Sequence, residues 1–150
     1  MTRPFLAEVA NPVREYGSAE AMTIRTRRVY EPIDPADGRR YLIDRLWPRG
    51  LRQESLLLDG WLKELAPSDE LRTWFGHDPS RHPVFRERYR RELAAHPDLL
   101  HRLRQEAAEG TVTLLFAARD TEHCNASVLR ELLEERSNLR PAPPKGSRTR

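Results

Sequence analysis

The heptapeptide Asp44-Arg45-Leu46-Trp47-Pro48-Arg49-Gly50 gathers a carboxylate, two guanidinium groups and an indole into one short stretch. Guanidinium groups form charge-assisted, often bidentate hydrogen bonds to phosphates and carboxylates, and an indole offers a flat apolar wall. Read as a site, Arg45 and Arg49 hold an anion, Trp47 walls or stacks on the ligand, and Asp44 orients Arg45 or exchanges a proton. Asp44 is the candidate catalytic group, but no partner base stands at a spacing that would define a general-base role. A structural reading uses the same residues: Asp44 pairs with Arg45, Trp47 caps the core, and Pro48 with Gly50 makes the turn.

The elements that must position this stretch are two short strands. Tyr41-Leu42-Ile43 opens an apolar, β-favouring run that ends near Leu46 and is stopped by Pro48 and Gly50. Residues 111–118, Thr-Val-Thr-Leu-Leu-Phe-Ala-Ala, carry no charge and read as a fully buried central strand. If the two lie parallel, both deliver their carboxyl ends to one edge, where ligands settle in open α/β sheets. Arg119, Asp120 and a helix expected over residues 121–136 then face Arg45 and Arg49. Backbone N–H groups in the first turn of that helix, at Thr121, His123, Cys124 and Asn125, favour an anion. The alternative is that Asp120 or Thr121 simply caps the helix. Tyr30 and Asn125 complete the candidate binding set with polar contacts.

Other reactive side chains offer less. Cys124 lies at a helix start, where thiolates are stabilised. Its neighbour His123 projects about 100 degrees away on a helix and is badly placed as its base, so a small buried residue is the simpler role. His77, His82, His96 and His101 form no His-Glu-x-x-His or similar pattern, and neither a metal nor a cofactor is expected. With one Cys the chain has no internal disulfide framework. No apolar run approaches the roughly 18 residues of a membrane span, and residues 1–21 carry Arg, Glu and Pro where a signal peptide would be apolar. A cytoplasmic protein with no membrane partner is the expectation.

The formal charge of +3 is a property of the ends. Residues 140–150 hold four basic residues and no acid, and residues 1–21 hold two basic and three acidic ones, which leaves 20 of each sign for residues 22–139. The body is neutral, whereas a fold that tracks a phosphate backbone shows a basic excess of its own. Only Lys63 and Lys145 are lysines among 26 basic residues. That bias marks an arginine-favouring genome and weakens any argument from a single Arg.

The 150 residues fit one domain, with a flexible N-terminal extension over 1–21, an α/β body over 22–139 and a disordered basic tail over 140–150. Residues 24–30 alternate as a strand, and the short link to Tyr41 through Pro32, Pro35 and Asp37-Gly38 makes a hairpin the simpler expectation, since a parallel crossover normally needs a dozen or more residues, with a compressed crossover as the alternative. A short helix is expected over 56–65 around Trp61, Leu62 and Leu65. Ser68 with Asp69 and Glu70 starts another before Leu71, Trp74 and Phe75. Pro83 opens a helix striped by Phe85, Tyr89 and Leu93, and Asp98 caps one that buries Leu99, Leu100, Leu103 and Ala107 and ends at Gly110. The class is α/β: a small, mainly parallel sheet of about three short strands flanked by helices.

These motifs, taken together, resemble a known family. Arg-Arg-Val-Tyr at 27–30, Asp-Gly-x-Arg-x-Leu-Ile-Asp-Arg-Leu-Trp-Pro-Arg-Gly at 37–50, Trp61 with Lys63, and Ala-Pro-Ser at 66–68 before Leu71-Arg72 and Trp74-Phe75 occur in order. Phe85, Arg88-Tyr89, Glu92-Leu93, Leu114-Leu115 and Asn125-Ala126 follow. The pattern is similar to the YeaO-like proteins, a branch of the DUF488 family. The wider family ends its strands with an Asp-Val-Arg type motif and a Cys-Ala-Glu run, followed by Cys-His-Arg at the next helix. Asp44-Arg45 resembles the first, while Phe116-Ala117-Ala118 and Cys124-Asn125-Ala126 depart from the others. The resemblance implies a small cytosolic α/β domain and supplies no reaction.

Two function classes follow. The first is a small enzyme or ligand binder for an anionic compound, a nucleotide or phosphorylated metabolite, at Tyr30, Arg45, Trp47, Arg49 and Asn125. The second is a nucleic-acid-binding accessory protein that uses the tail for affinity and Trp47 for stacking. A third, a noncatalytic interaction module, would present Trp61, Trp74 and Phe75, although these aromatics also suit the core.

Overall fold

A computed structural model describes residues 22–138; the N-terminal extension and the basic tail expected from the sequence lie outside them. Four strands, β1 (Thr23–Arg28), β2 (Arg39–Leu42), β3 (Gly60–Trp61) and β4 (Thr111–Phe116), form one sheet in the order β1-β4-β2-β3. Every pairing is parallel. The sheet is thus α/β as expected, with one strand more than the three read from the sequence.

The expected hairpin between the first two strands does not form. β4 lies between β1 and β2 and pairs with both, Ile24 and Arg39 each standing opposite Val112. Ten residues separate the two strands, and these suffice because β1 is short. Its six residues rise about 20 Å, while ten extended residues reach about 33 Å. The link crosses β4 closely. A Cβ at Gly38 would fall 2.2 Å from the Thr111 carbonyl oxygen, and Gly38 has φ of 63°, so only glycine fits there. Thr113 Oγ1 donates to the Asp37 carbonyl at 2.7 Å and fastens the crossing.

β4 explains the two-sided core, because successive side chains leave opposite faces of a strand. Val112, Leu114 and Phe116 enter the larger cluster, which includes Ile24, Tyr41, Ile43 and the helices. Leu115 joins Val29, Leu42 and Leu56 on the other face, with Trp47 and Trp61 against them.

The helix expected over 56–65 is replaced by three shorter pieces: α1 (Gln53–Leu56), β3 and a 3-10 turn at Lys63–Leu65. Leu57 ends α1 in the left-handed region at φ 48°. Asp59 then binds β2 twice, its N–H donating to the Arg40 carbonyl at 2.7 Å and its carboxylate accepting from the Arg40 N–H at 2.8 Å. These bonds draw Gly60 and Trp61 into the ladder.

The remaining helices follow their sequence signals closely. α2 (Asp69–Phe75) is capped by Ser68, which accepts from the Leu71 N–H, and ends at left-handed Gly76. α3 (His82–Leu93) has Pro83 in its first turn and buries Phe85, Tyr89 and Leu93. α4 (Pro97–Glu109) starts from His96, so Asp98 sits within the first turn instead of capping it. There its charge still suits the positive end of the helix dipole. α5 (Asn125–Asn138) begins four residues later than expected, because Asp120 folds the preceding residues into a turn.

Candidate functional site

The carboxyl ends of β2 and β4 open into a cavity of about 390 Å³. That volume lies within the range of small-ligand pockets. Asp44, Arg45, Trp47 and Arg49 line it from the segment after β2, Ala117 and Ala118 from the end of β4, and Cys124 and Asn125 from the start of α5. Tyr30 contributes from beyond β1. The structure therefore brings all six candidate residues to one place, at the sheet edge where parallel folds bind ligands.

Asp44 is the best-organised group in the cavity. Its Oδ2 accepts from the Ala117 N–H at 2.9 Å and its Oδ1 from Asn125 Nδ2 at 3.0 Å. Its carbonyl accepts from Trp61 Nε1 at 2.6 Å. These bonds join the end of β2 to the end of β4, the start of α5 and the edge strand. Burial pushes the Asp44 carboxyl above its ordinary value, although the bonds from Asn125 and Ala117 and the charges of His77 and Arg72 pull the other way.

Asn125 completes this frame. Its Nδ2 also donates to the Ile43 carbonyl at 3.0 Å, while its Oδ1 accepts from the Ala126 N–H at 2.9 Å. An amide offers two donors and one acceptor oxygen, so both ends of this side chain have internal partners.

The Asp44–Arg45 pair considered in the sequence does not form. Arg45 turns instead to the Pro67 carbonyl, 3.2 Å from its Nε, and to the Asp69 carboxylate at 3.8 Å. Asp69 also holds Arg72 at 3.2 Å. One exposed carboxylate thus gathers two guanidinium groups at the rim. Arg49 is exposed, and among the described residues no ion pair engages its guanidinium; its carbonyl accepts from the Tyr30 hydroxyl at 3.0 Å. Tyr30 itself is 44% exposed, with Arg28 over its ring at 5.1 Å.

Trp47 both lines the cavity and packs inward. Its ring meets Trp61 edge-on at 5.3 Å between centroids, and its Nε1 donates to the Leu51 carbonyl at 2.7 Å. Trp61 is half-buried beside it and Phe75 is buried on the other face. Trp74 is half-buried under Arg81 and Arg88.

The helix N-terminus contributes less than its sequence suggested. Asp120 Oδ1 accepts from the N–H groups of Glu122 and His123, both at 2.9 Å, and its Oδ2 lies 2.9 Å from His123 Nδ1. These bonds hold the Asp120 carboxyl down at about 2. Of the amides expected to greet an anion, that of His123 is therefore occupied by a carboxylate of the chain itself, as is that of its neighbour Glu122. Cys124 is buried, its thiol pushed up by desolvation, and its Sγ lies 3.6 Å from the Thr121 carbonyl oxygen. It has the character of a packed core thiol, not of an activated nucleophile.

Sequence reasoning missed Arg72, His77, Phe75 and Phe85 as cavity-lining residues. Arg72 and Phe75 belong to motifs quoted for the family resemblance, which was the signal that pointed to them. His77 gave none: it reaches the site through a left-handed backbone at φ 57°, which residue type does not announce.

A family model described as "Inactive DUF488-N3 subclade" matches residues 23–148. The chain belongs to the YeaO-like DUF488 family. It is 44% identical over 112 residues to the uncharacterized protein YeaO of Escherichia coli (strain K12), covering 75% of this chain and 97% of that relative. It is also 42% identical over 113 residues to the uncharacterized protein Rv3073c of Mycobacterium tuberculosis (strain ATCC 25618 / H37Rv), covering 75% and 95%. No solved structure matches significantly. Among the described residues no helix is long and apolar enough to cross a membrane, and no group of three or more His, Cys, Asp or Glu side chains is placed to hold a metal ion.

Proposed function

We propose that this YeaO-like protein binds a small anionic compound, a nucleotide or phosphorylated metabolite, in the cavity at the ends of β2 and β4, and that the pocket works by binding and not by chemistry. The carrying observation is the rim formed by Arg45, Arg49 and Arg72, which sets three guanidinium groups at the mouth of a 390 Å³ cavity with one exposed carboxylate, Asp69, between two of them. The excess positive charge is local, in a body whose formal charge balances. Trp47 and Tyr30 supply flat walls, and Asp44 with Asn125 fixes the cavity floor.

Two features support binding over catalysis. Cys124 is a buried thiol with a raised pKa, and Asp44 is fastened by two hydrogen bonds from neutral donors, with no nucleophile or base hydrogen-bonded to it among the described residues. The subclade's description as inactive agrees with this reading. It also agrees with the absence from this sequence of the Cys-Ala-Glu and Cys-His-Arg runs of the wider family.

A thermal-shift screen of nucleotides and sugar phosphates tests the proposal. A true ligand raises the midpoint of the wild type in a concentration-dependent way. Replacing Arg49, whose guanidinium has no ion-pair or hydrogen-bond partner among the described residues, should abolish that rise in Arg49→Ala while leaving the unliganded midpoint nearly unchanged. Equal ligand-induced shifts in both proteins would remove the rim from the binding site.

A further inference from the structure

We propose that the ligand of this pocket is amphoteric: its anion lies against the arginine rim while a nitrogen hydrogen-bond donor at its other end reaches Asp44. The inference rests on the anion-binding reading above and adds the polarity of the ligand to it.

Asp44 carries the argument through what it lacks. Each carboxylate oxygen can accept about two hydrogen bonds. Oδ1 receives one from Asn125 and Oδ2 one from Ala117, which leaves acceptor capacity on both. No ion pair neutralises the charge among the described residues: Arg45 is turned to Pro67 and Asp69, and His77 and Arg72 act on Asp44 only as unpaired neighbouring charges. Phe75, Phe85 and Cys124 line the same cavity and give Asp44 apolar neighbours. A desolvated carboxylate with spare lone pairs favours a partner that donates. Burial holds its carboxyl above the ordinary value, as expected of an acceptor without a counter-charge.

The same charge decides which end of the ligand goes where. An anion placed at Asp44 meets a like charge in a low-dielectric setting, whereas one at the rim meets Arg45, Arg49 and Arg72. Asn125 is the weaker partner for a donor, because its neutral oxygen already accepts from Ala126 and its nitrogen donates to Ile43 and Asp44, whereas Asp44 offers a charged acceptor. Asp44 is therefore the acceptor for an amine, amidine or amide N–H. The aromatic walls and the cavity volume suit a ligand up to the size of a mononucleotide.

Calorimetric titration of the full chain with two matched pairs provides the test. Phosphoethanolamine is compared with ethyl phosphate, and adenosine monophosphate with the purine riboside monophosphate that lacks its exocyclic amine. At least one donor-bearing member should bind about tenfold tighter than its match, the size expected for one hydrogen bond to a charged group, and Asp44→Asn should erase that preference. Equal affinities within both pairs overturn the donor assignment while anion binding stands. A donor preference that persists in a folded Asp44→Asn protein overturns the assignment to Asp44. If none of the four compounds nor inorganic phosphate binds, the inference and the reading beneath it both fall. Should Asp44→Asn not fold, the wild-type pairs alone decide.

Discussion

The two ends of the sheet use the same residue types to opposite effect. At the amino end, Asp37 is 1% exposed and meets Arg25 at 3.2 Å, Arg27 at 3.2 Å and Arg40 at 2.5 Å. Arg40, itself buried, also donates through Nε to the Leu56 carbonyl at 3.0 Å. Every charge there has a partner. At the carboxyl end, Asp44 has neutral donors only, while Arg49 at the rim pairs with nothing among the described residues. Arg-rich composition cannot tell these two clusters apart; internal satisfaction can. A saturated cluster holds the fold together, and an unsaturated one is available to something else.

The most forceful way to break this comparison is Asp37→Ala. Removing one partner of a buried ion pair strands the others, and the expected loss is about 3–5 kcal/mol, read from the urea midpoint. A loss below about 1 kcal/mol, the range of surface pairs, would show that the amino-end cluster is no more structural than the rim.

Asp44→Asn should have a smaller effect with a distinctive pH profile. The folded carboxyl lies above its ordinary 3.8, so the folded chain holds this proton more tightly than the unfolded one. Stability contributed at this site is then lost as pH rises from 3.8 through the folded value, and the full penalty stands above it. The variant escapes that loss. It carries a nearly constant cost of about 1 kcal/mol from the disturbed bonds to Ala117 and Asn125, and it should gain on the wild type as pH rises through this window. Parallel pH profiles in urea unfolding would contradict the assigned environment of Asp44.

The least effect on stability belongs to Arg49→Ala. An exposed side chain without partners among the described residues should change unfolding free energy by no more than about 0.5 kcal/mol. A larger loss would move Arg49 into the structural class with Arg40.

Much of the fold was legible because its signals are local. Ser68, Pro83, Gly110 and the Phe85-Tyr89-Leu93 stripe each act within a turn or two of helix, and the charge-free run at 111–118 reads as the central strand that forms over Thr111–Phe116. Strand order was not legible. The Pro32-to-Gly38 link reads as a hairpin by length, and only the shortness of β1 and the close pass of Gly38 over Thr111 make a crossover feasible. β3 escaped for a related reason: what makes it a strand is the pair of bonds between Asp59 and Arg40, 19 residues apart. The site was legible at Asp44 through Arg49, where the residues are contiguous, and lost at Arg72 and His77, which reach it from α2 and the turn after it.

The bond from the Ala117 N–H to Asp44 has one further consequence. It makes that amide a natural reporter, since its solvent exchange rate is governed by the carboxylate that faces the cavity. A guest that engages Asp44 competes for its lone pairs or steadies its position, and in either case the protection of a single backbone hydrogen changes. Occupancy of the pocket could thus be followed at one main-chain position, with no label and no knowledge of the guest's identity.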